Sequence, residues 1–154
     1  MTTPMLIYRL EDLSLNYHIK NLFSEFPNIT IVNEFPKQIL QVPTISVVNG
    51  KLIEERFELG NRDSGLRTRR WFIDIFGSNI TQRDDFAYMV LDNTDSGITV
   101  YDYNEGFPPS VSPTAINHLS TISKSYEPLD IPIGGNEKLY YRGQIILITT
   151  NDLV

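Results

Sequence analysis

Apolar side chains recur at helical spacing near the start of the chain. Leu6, Leu10, Leu13 and Tyr17 are separated by four, three and four residues, with Arg9, Asp12, Asn16 and Lys20 outside their stripe. Leu22, Phe23 and Phe26 continue the pattern and Pro27 stops it, so a helix is expected over about 5–26. Ile29-Thr30-Ile31-Val32 reads as a short strand, followed by a loop held at Pro36 and Pro43. Asn49-Gly50, between the β-like runs 44–48 and 51–59, predicts a tight hairpin, because both central positions of such a turn take positive φ. The second arm alternates Ile53, Glu55, Phe57 and Leu59 against Glu54, Arg56 and Glu58, one face buried and one wet. A connection over 60–65 leads to a strand over 66–76, with Trp71, Ile73 and Ile75 on one face and Phe72, Asp74 and Phe76 on the other.

The second half of the chain is more varied. Asn79 or Thr81 caps a second expected helix reaching to about Thr94, with Asp84 and Asp85 in its early turns, where the helix dipole favours acids. Phe86, Ala87, Val90 and Leu91 form its apolar stripe, and Gly97 supplies the stop. A strand over 98–103 runs into a Pro-rich segment, 104–113, and 114–119 reads as a short helical turn. Residues 120–133 leave room for an extended piece, and the apolar run Ile145 to Ile148 marks a closing strand over 139–150. The expected fold is α+β: a mostly antiparallel sheet with two helices packed on one face, in a single domain over 1–154 with a long Pro-rich loop or insert at about 104–133.

Composition narrows the possibilities. With 154 residues, 41% of them hydrophobic, the chain can bury the core of one domain without cross-links. Thirteen basic against nineteen acidic side chains give a net charge of −6, which argues against backbone-driven nucleic-acid binding. The absence of Cys removes disulfides, thiol nucleophiles and Cys-type metal sites. Met1-Thr2-Thr3-Pro4 lacks a basic region followed by an apolar one, so no secretion signal is expected, and no stretch is long and apolar enough for a membrane helix.

The inventory of chemistry is sparse. His18 and His118 stand alone, without a His-x-x-x-His or His-x-His partner, and read as structural. The run Asp102 to Gly106 lacks the ligand ladder and closing glutamate of a calcium loop. Glu54-Glu55 and Asp84-Asp85 are explained by strand alternation and the helix dipole. No nucleophile elbow is present, and Gly134 to Lys138 lacks phosphate-loop spacing. Asn28-Ile29-Thr30 and Asn79-Ile80-Thr81 read as chance matches to a glycosylation pattern. No catalytic, cofactor-binding or metal-ligating residue is expected, and the chain is not read as an enzyme.

Charge placement is unusual. Of eight arginines, four (Arg62, Arg67, Arg69, Arg70) fall within nine residues, whereas residues 101–154 hold three basic and six acidic side chains. Such polarity suits head-to-tail meeting of copies in a ring, with Arg67, Arg69 and Arg70 at one interface. The stretch Tyr101 to Pro109, with two tyrosines, Phe107 and a diproline, makes a stiff aromatic loop that places Tyr103, Glu105 and Phe107 at another. A solvated strand end and a core-covering loop are the bland alternatives.

The order of these elements carries a resemblance. The N-terminal helix, Phe35-Pro36, the paired strands, Arg69-Arg70-Trp71 leading to Phe76, the helix near Gln82-Arg83-Asp84-Asp85, the strand over 98–103, the loop Glu105-Gly106-Phe107-Pro108-Pro109 and the long final strand together resemble tail terminator proteins of tailed bacteriophages. The resemblance implies a cofactor-free virion structural protein of the neck, assembled in the host bacterial cytoplasm as a homo-oligomeric ring, typically a hexamer. Implied partners are its own copies, the tail tube protein, the head connector or adaptor protein, and a sheath protein if the tail is contractile. DNA would pass through the lumen without specific binding, and no membrane is involved. Adaptor and stopper proteins of the neck, and a small cytoplasmic peptide-binding module using the aromatic loop, are the alternatives.

Overall fold

A computed structural model describes residues 5–33, 43–56, 65–129 and 141–152. The elements run α1 (Ile7–Leu22), β1 (Thr30–Val32), β2 (Thr44–Arg56), β3 (Gly65–Phe76), α2 (Ile80–Asn93), β4 (Ile98–Tyr101), β5 (Ala115–Pro128) and β6 (Arg142–Asp152). The strands form one six-stranded sheet in the order β1-β2-β3-β6-β5-β4, antiparallel throughout except for the parallel pair β1–β2. Ile45, Trp71, Ile73, Ile75, Ile145, Leu147 and Leu119 meet Leu15 and Ile19 of α1, its cap Phe23, and Phe86, Ala87 and Val90 of α2 in one continuous core. The chain is therefore an α+β domain of the expected class.

Helix α1 ends sooner and faces differently than its apolar spacing predicts. It closes at Leu22, with Phe23 as cap, and its buried positions are Leu10, Glu11, Ser14, Leu15, Asn16 and Ile19. Leu6 is 71% exposed and Asn16 is buried, so the stripe lies rotated from Leu6-Leu10-Leu13-Tyr17. The cause is polar burial: Glu11 and Ser14 occupy core-facing positions because partners await them. Ser14 Oγ–H donates to the Leu10 carbonyl (2.7 Å) and accepts the Tyr101 N–H of β4 (3.1 Å).

Asn49-Gly50 makes no hairpin. Strand β2 continues through it to Arg56, and its register on β3 shifts between Asn49 and Leu52, a bulge rather than a turn. Gly50 does not adopt positive φ; a Cβ there would stand 2.5 Å from the Phe72 ring, so close packing demands the glycine. The shift also sets Glu54 toward α1 and leaves Ile53 39% exposed, the reverse of the expected alternation. The Phe57 and Leu59 positions, the Pro36 loop, the Phe35-Pro36 pair and the Gly134–Lys138 turn lie outside the described residues.

Residues 114–119 are not a helical turn. They join β5, whose strand occupies 115–128 of the span read as insert and pairs first with β4 and then with β6. In contrast, α2 begins where its cap predicts. Asn79 Oδ1 accepts the Gln82 N–H (2.9 Å), while Gln82 Oε1 accepts the Ser78 N–H (2.7 Å), reciprocal bonds that satisfy two free donors. Gly97, at φ +85°, turns the chain from α2 into β4.

Among the described residues, the two glycines of positive φ make a test of local space. A Cβ at Gly97 would stand 2.3 Å from the Leu119 carbonyl oxygen, whereas at Gly106 (φ +136°) nothing lies within 4 Å. Gly106→Ala should cost only backbone strain, about 1–3 kcal/mol. Gly97→Ala should lower the urea unfolding midpoint distinctly further, since the clash adds to the strain; equal losses would contradict this packing.

Candidate functional site

The alternation that buries Trp71, Ile73 and Ile75 carries backward along β3 to Arg69 and Arg67. Both are 3% exposed and point at α1. Glu11, fully buried, sits between them: Arg67 Nη1 donates to Glu11 Oε2 (2.7 Å) and Arg69 Nη1 to Glu11 Oε1 (3.1 Å). Asn151 Nδ2 of β6 also donates to Oε2 (2.8 Å). Arg67 reaches Glu54 through Nε (3.1 Å), and Arg69 reaches Asp12 through Nη2 (2.7 Å) and the Tyr8 carbonyl through Nη1 (3.0 Å). The Arg69 guanidinium lies 4.0 Å above the Trp71 ring, and Trp71 Nε1–H donates to Thr149 Oγ1 (3.0 Å).

These bonds define what the cluster does. A carboxylate out of water is tolerable only with strong, well-directed donors, and Glu11 has three. Arg67 and Arg69 are thus withdrawn from any outer surface, which corrects their expected place in a docking patch; within the chain they clamp α1 to β3. Of the three candidate arginines only Arg70 is exposed, on the opposite sheet face.

The aromatic loop is also turned inward. Tyr103 is 1% exposed, and its ring meets Tyr17 (6.1 Å) and Phe107 (5.1 Å) edge-on. Burial first of all pushes the Tyr103 hydroxyl above its ordinary range. Phe107 is half-buried, packs on Tyr17 (5.7 Å) and lies beneath Lys20 Nζ (5.7 Å). Glu105 alone of the three is exposed. The loop therefore covers the end of the core, and the structure does not bring Glu105 and Arg70 to a common site with the buried pair.

Elsewhere, charged groups are used to fasten elements together. On the outer face Asp74 Oδ1 accepts from Arg142 Nη2 (3.1 Å) and Gln144 Nε2 (3.2 Å). Lys124 of β5 bonds the Leu91 carbonyl and Asp95 at the end of α2. Asp84 accepts from Arg83 (3.0 Å) and from the Tyr126 hydroxyl (2.8 Å), whose ionisation burial and this bond push well up. His118 Nε2 meets the Ser96 carbonyl (2.9 Å), and burial holds His18 below the ordinary histidine range. Both histidines line a cavity of about 470 Å³ between α1 and β4. Among the described residues no three acidic or histidine side chains converge as a metal site would need, and no helix is long and apolar enough to cross a membrane.

No protein-family model matches the chain, and no curated protein does. Among solved structures, a chain from the virion of a native gene transfer agent particle is similar, with a TM-score of 0.45 and 11% identity over 96% of this chain and 90% of that one.

Two measurements test the cluster. Glu11→Ala leaves two buried guanidinium groups short of their carboxylate and should cost about 3–5 kcal/mol in urea unfolding. Arg70→Ala, at an exposed position, should stay within about 0.5 kcal/mol. The rim responds to pH. The Tyr8–Glu54 hydrogen bond (2.6 Å) chiefly holds Glu54 below the ordinary carboxylate range, with Arg67 assisting, and holds Tyr8 above the ordinary tyrosine range. Stability from Glu54 is present above the unfolded carboxylate value and lost as pH falls through the depressed one. Stability from Tyr8 is present below the unfolded tyrosine value and lost as pH rises through the raised one. The gap in unfolding midpoint between wild type and Tyr8→Phe should be widest from about pH 5 to 9 and close on both sides; a gap independent of pH would contradict the pairing.

Proposed function

We propose that this chain is a non-enzymatic virion structural protein of a tailed bacteriophage, a tail terminator of the neck that assembles as a homo-oligomeric ring of six copies, the number the resemblance implies. It caps the tail tube, stops its growth and presents a surface to the head connector. The observation that carries the reading is the order of elements. Helix α1, the Arg69-Arg70-Trp71 strand β3, the capped helix α2, strand β4, the Glu105-Gly106-Phe107-Pro108-Pro109 loop and the long final strand β6 occur in the sequence on which the resemblance rests. An α+β subunit of net charge −6 whose Arg67 and Arg69 are spent internally suits a conduit through which DNA must slide, since free cations on a lumen would hold phosphates.

The reading gives the chain protein partners only: further copies, the tail tube protein, the connector or adaptor protein, and a sheath protein where the tail contracts. It assigns no cofactor and no catalytic step. Native mass spectrometry and negative-stain imaging of the purified chain test it. The expected outcome is a closed ring that binds the ends of tail tubes; a strict monomer at high concentration that also ignores tube ends overturns it.

A further inference from the structure

Strand β1 accompanies β2 only over Thr44 to Ser46, opposite Thr30 to Val32. From Val47 to Arg56 strand β2 is paired on one side by β3, and no other strand pairs it among the described residues. Helix α1 lies along this open edge, with Tyr8 bonded to Glu54 and Asp12 bonded to Asn49. Between helix and edge runs a groove of about 430 Å³, in which Val47 and Trp71 of the sheet face Leu13 of α1.

The groove has a charge. Arg9 and Lys20 both line it, eleven residues apart on α1, which places them on one side of the helix about three turns and about 16 Å from each other. Neither has an acidic partner among the described residues; Lys20 rests over the Phe107 ring and Arg9 is exposed. The acid in the groove, Asp12, is already spent on Arg69 and Asn49. Cations thus stand near both ends of a channel lined about equally by polar and apolar side chains, Ile31 and Val32 of β1 among them, and bordered by the open edge of β2, in a chain of net charge −6.

We infer that this groove receives an extended acidic segment of a different protein, added as a strand beside β2 in continuation of β1. Backbone bonds to residues 47–49, upstream of the bulge, hold the segment, and Val47 and Leu13 take its inward side chains. Carboxylates four residues apart share one face of the segment and span about 13 Å at about 3.3 Å per residue, within reach of the long Arg9 and Lys20 side chains. A second copy of this chain fits less well. The other strand edges left open among the described residues, 30–32 of β1, 98–101 of β4 and 120–128 of β5, hold one glutamate between them, and none supplies two carboxylates. The inference stands apart from ring formation, because the groove is complete within one subunit.

The probe is a fluorescein-labelled, end-capped peptide about seven residues long, alternating Thr and Val with aspartates at two same-face positions four residues apart; its control carries lysines in their place. Fluorescence anisotropy should show the acidic peptide binding and the lysine peptide not. The double variant Arg9→Glu, Lys20→Glu, at two exposed helix positions, should weaken the acidic peptide at least about tenfold and gain affinity for the lysine peptide. Hydrogen exchange should slow at the Asn49 amide, which faces the open edge, when the acidic peptide is present. No binding, equal binding by wild type and variant, or unchanged exchange at that amide overturns the inference. So does self-association that protects the same amide without peptide, which would assign the groove to a second copy; ring formation through other surfaces leaves these readouts unaffected.

Discussion

A single carboxylate, that of Glu11, sets the relation between helix and sheet. It is held from β3 by two arginines and from β6 by Asn151, so both central strands of the sheet meet one point on α1. The net worth of such a buried pair over a well-packed apolar alternative is small, because desolvation offsets most of the attraction. Its effect is directional. An apolar helix face can slide or roll on a sheet at modest cost, whereas Glu11 has low energy in one register only, with Arg67 on one oxygen and Arg69 on the other. That register also delivers Ser14 to the Tyr101 N–H, so the same rotation of α1 that satisfies the carboxylate seals part of β4.

The same bonds explain which parts of the fold are legible in the amino-acid sequence. Helix α2 is readable because its determinants are local: Asn79 caps it, Gln82 closes the reciprocal bond, and Gly97 turns the chain out of it. Strands β3 and β6 are readable from alternation and from an apolar run. The phase of α1 is not, because hydrophobicity alone marks Glu11 and Ser14 as outward when their partners lie far along the chain. Yet a signal exists. Counting back in twos from Ile75, Ile73 and Trp71 reaches Arg69 and Arg67, which places two guanidinium groups on the core face and demands a buried acid opposite them. Arginine density suggests a surface patch; arginine parity on the strand gives the structure. Asn49-Gly50 misleads for a related reason, since its glycine answers to the Phe72 ring across the sheet rather than to a turn.

The aromatic loop follows similar logic. Rigid rings bind partners well, but they first satisfy the core beside them. Tyr103 and Phe107 pack on Tyr17, and the loop's contribution to the outer surface shrinks to Glu105. Two features that read as docking surfaces, the arginines and the rings, are in large part internal fasteners. The surface beside them is therefore backbone and the charges the fold leaves over.

What the fold leaves over is itself a consequence of the anchor. Because α1 is tied down through Glu11 to β3 and through Ser14 to β4, it meets the edge of β2 through Tyr8–Glu54 and Asp12–Asn49, and its flank with Arg9, Leu13 and Lys20 lines the groove left between them. Asp12 is drawn toward Arg69 and Asn49, which removes the one acid that would have neutralised that flank. The interaction that fixes the core thus also holds open a groove beside an unpaired strand and leaves it basic, in a chain whose overall charge is acidic. Loosening Glu11 would let α1 roll, so groove geometry and core stability are coupled through one residue.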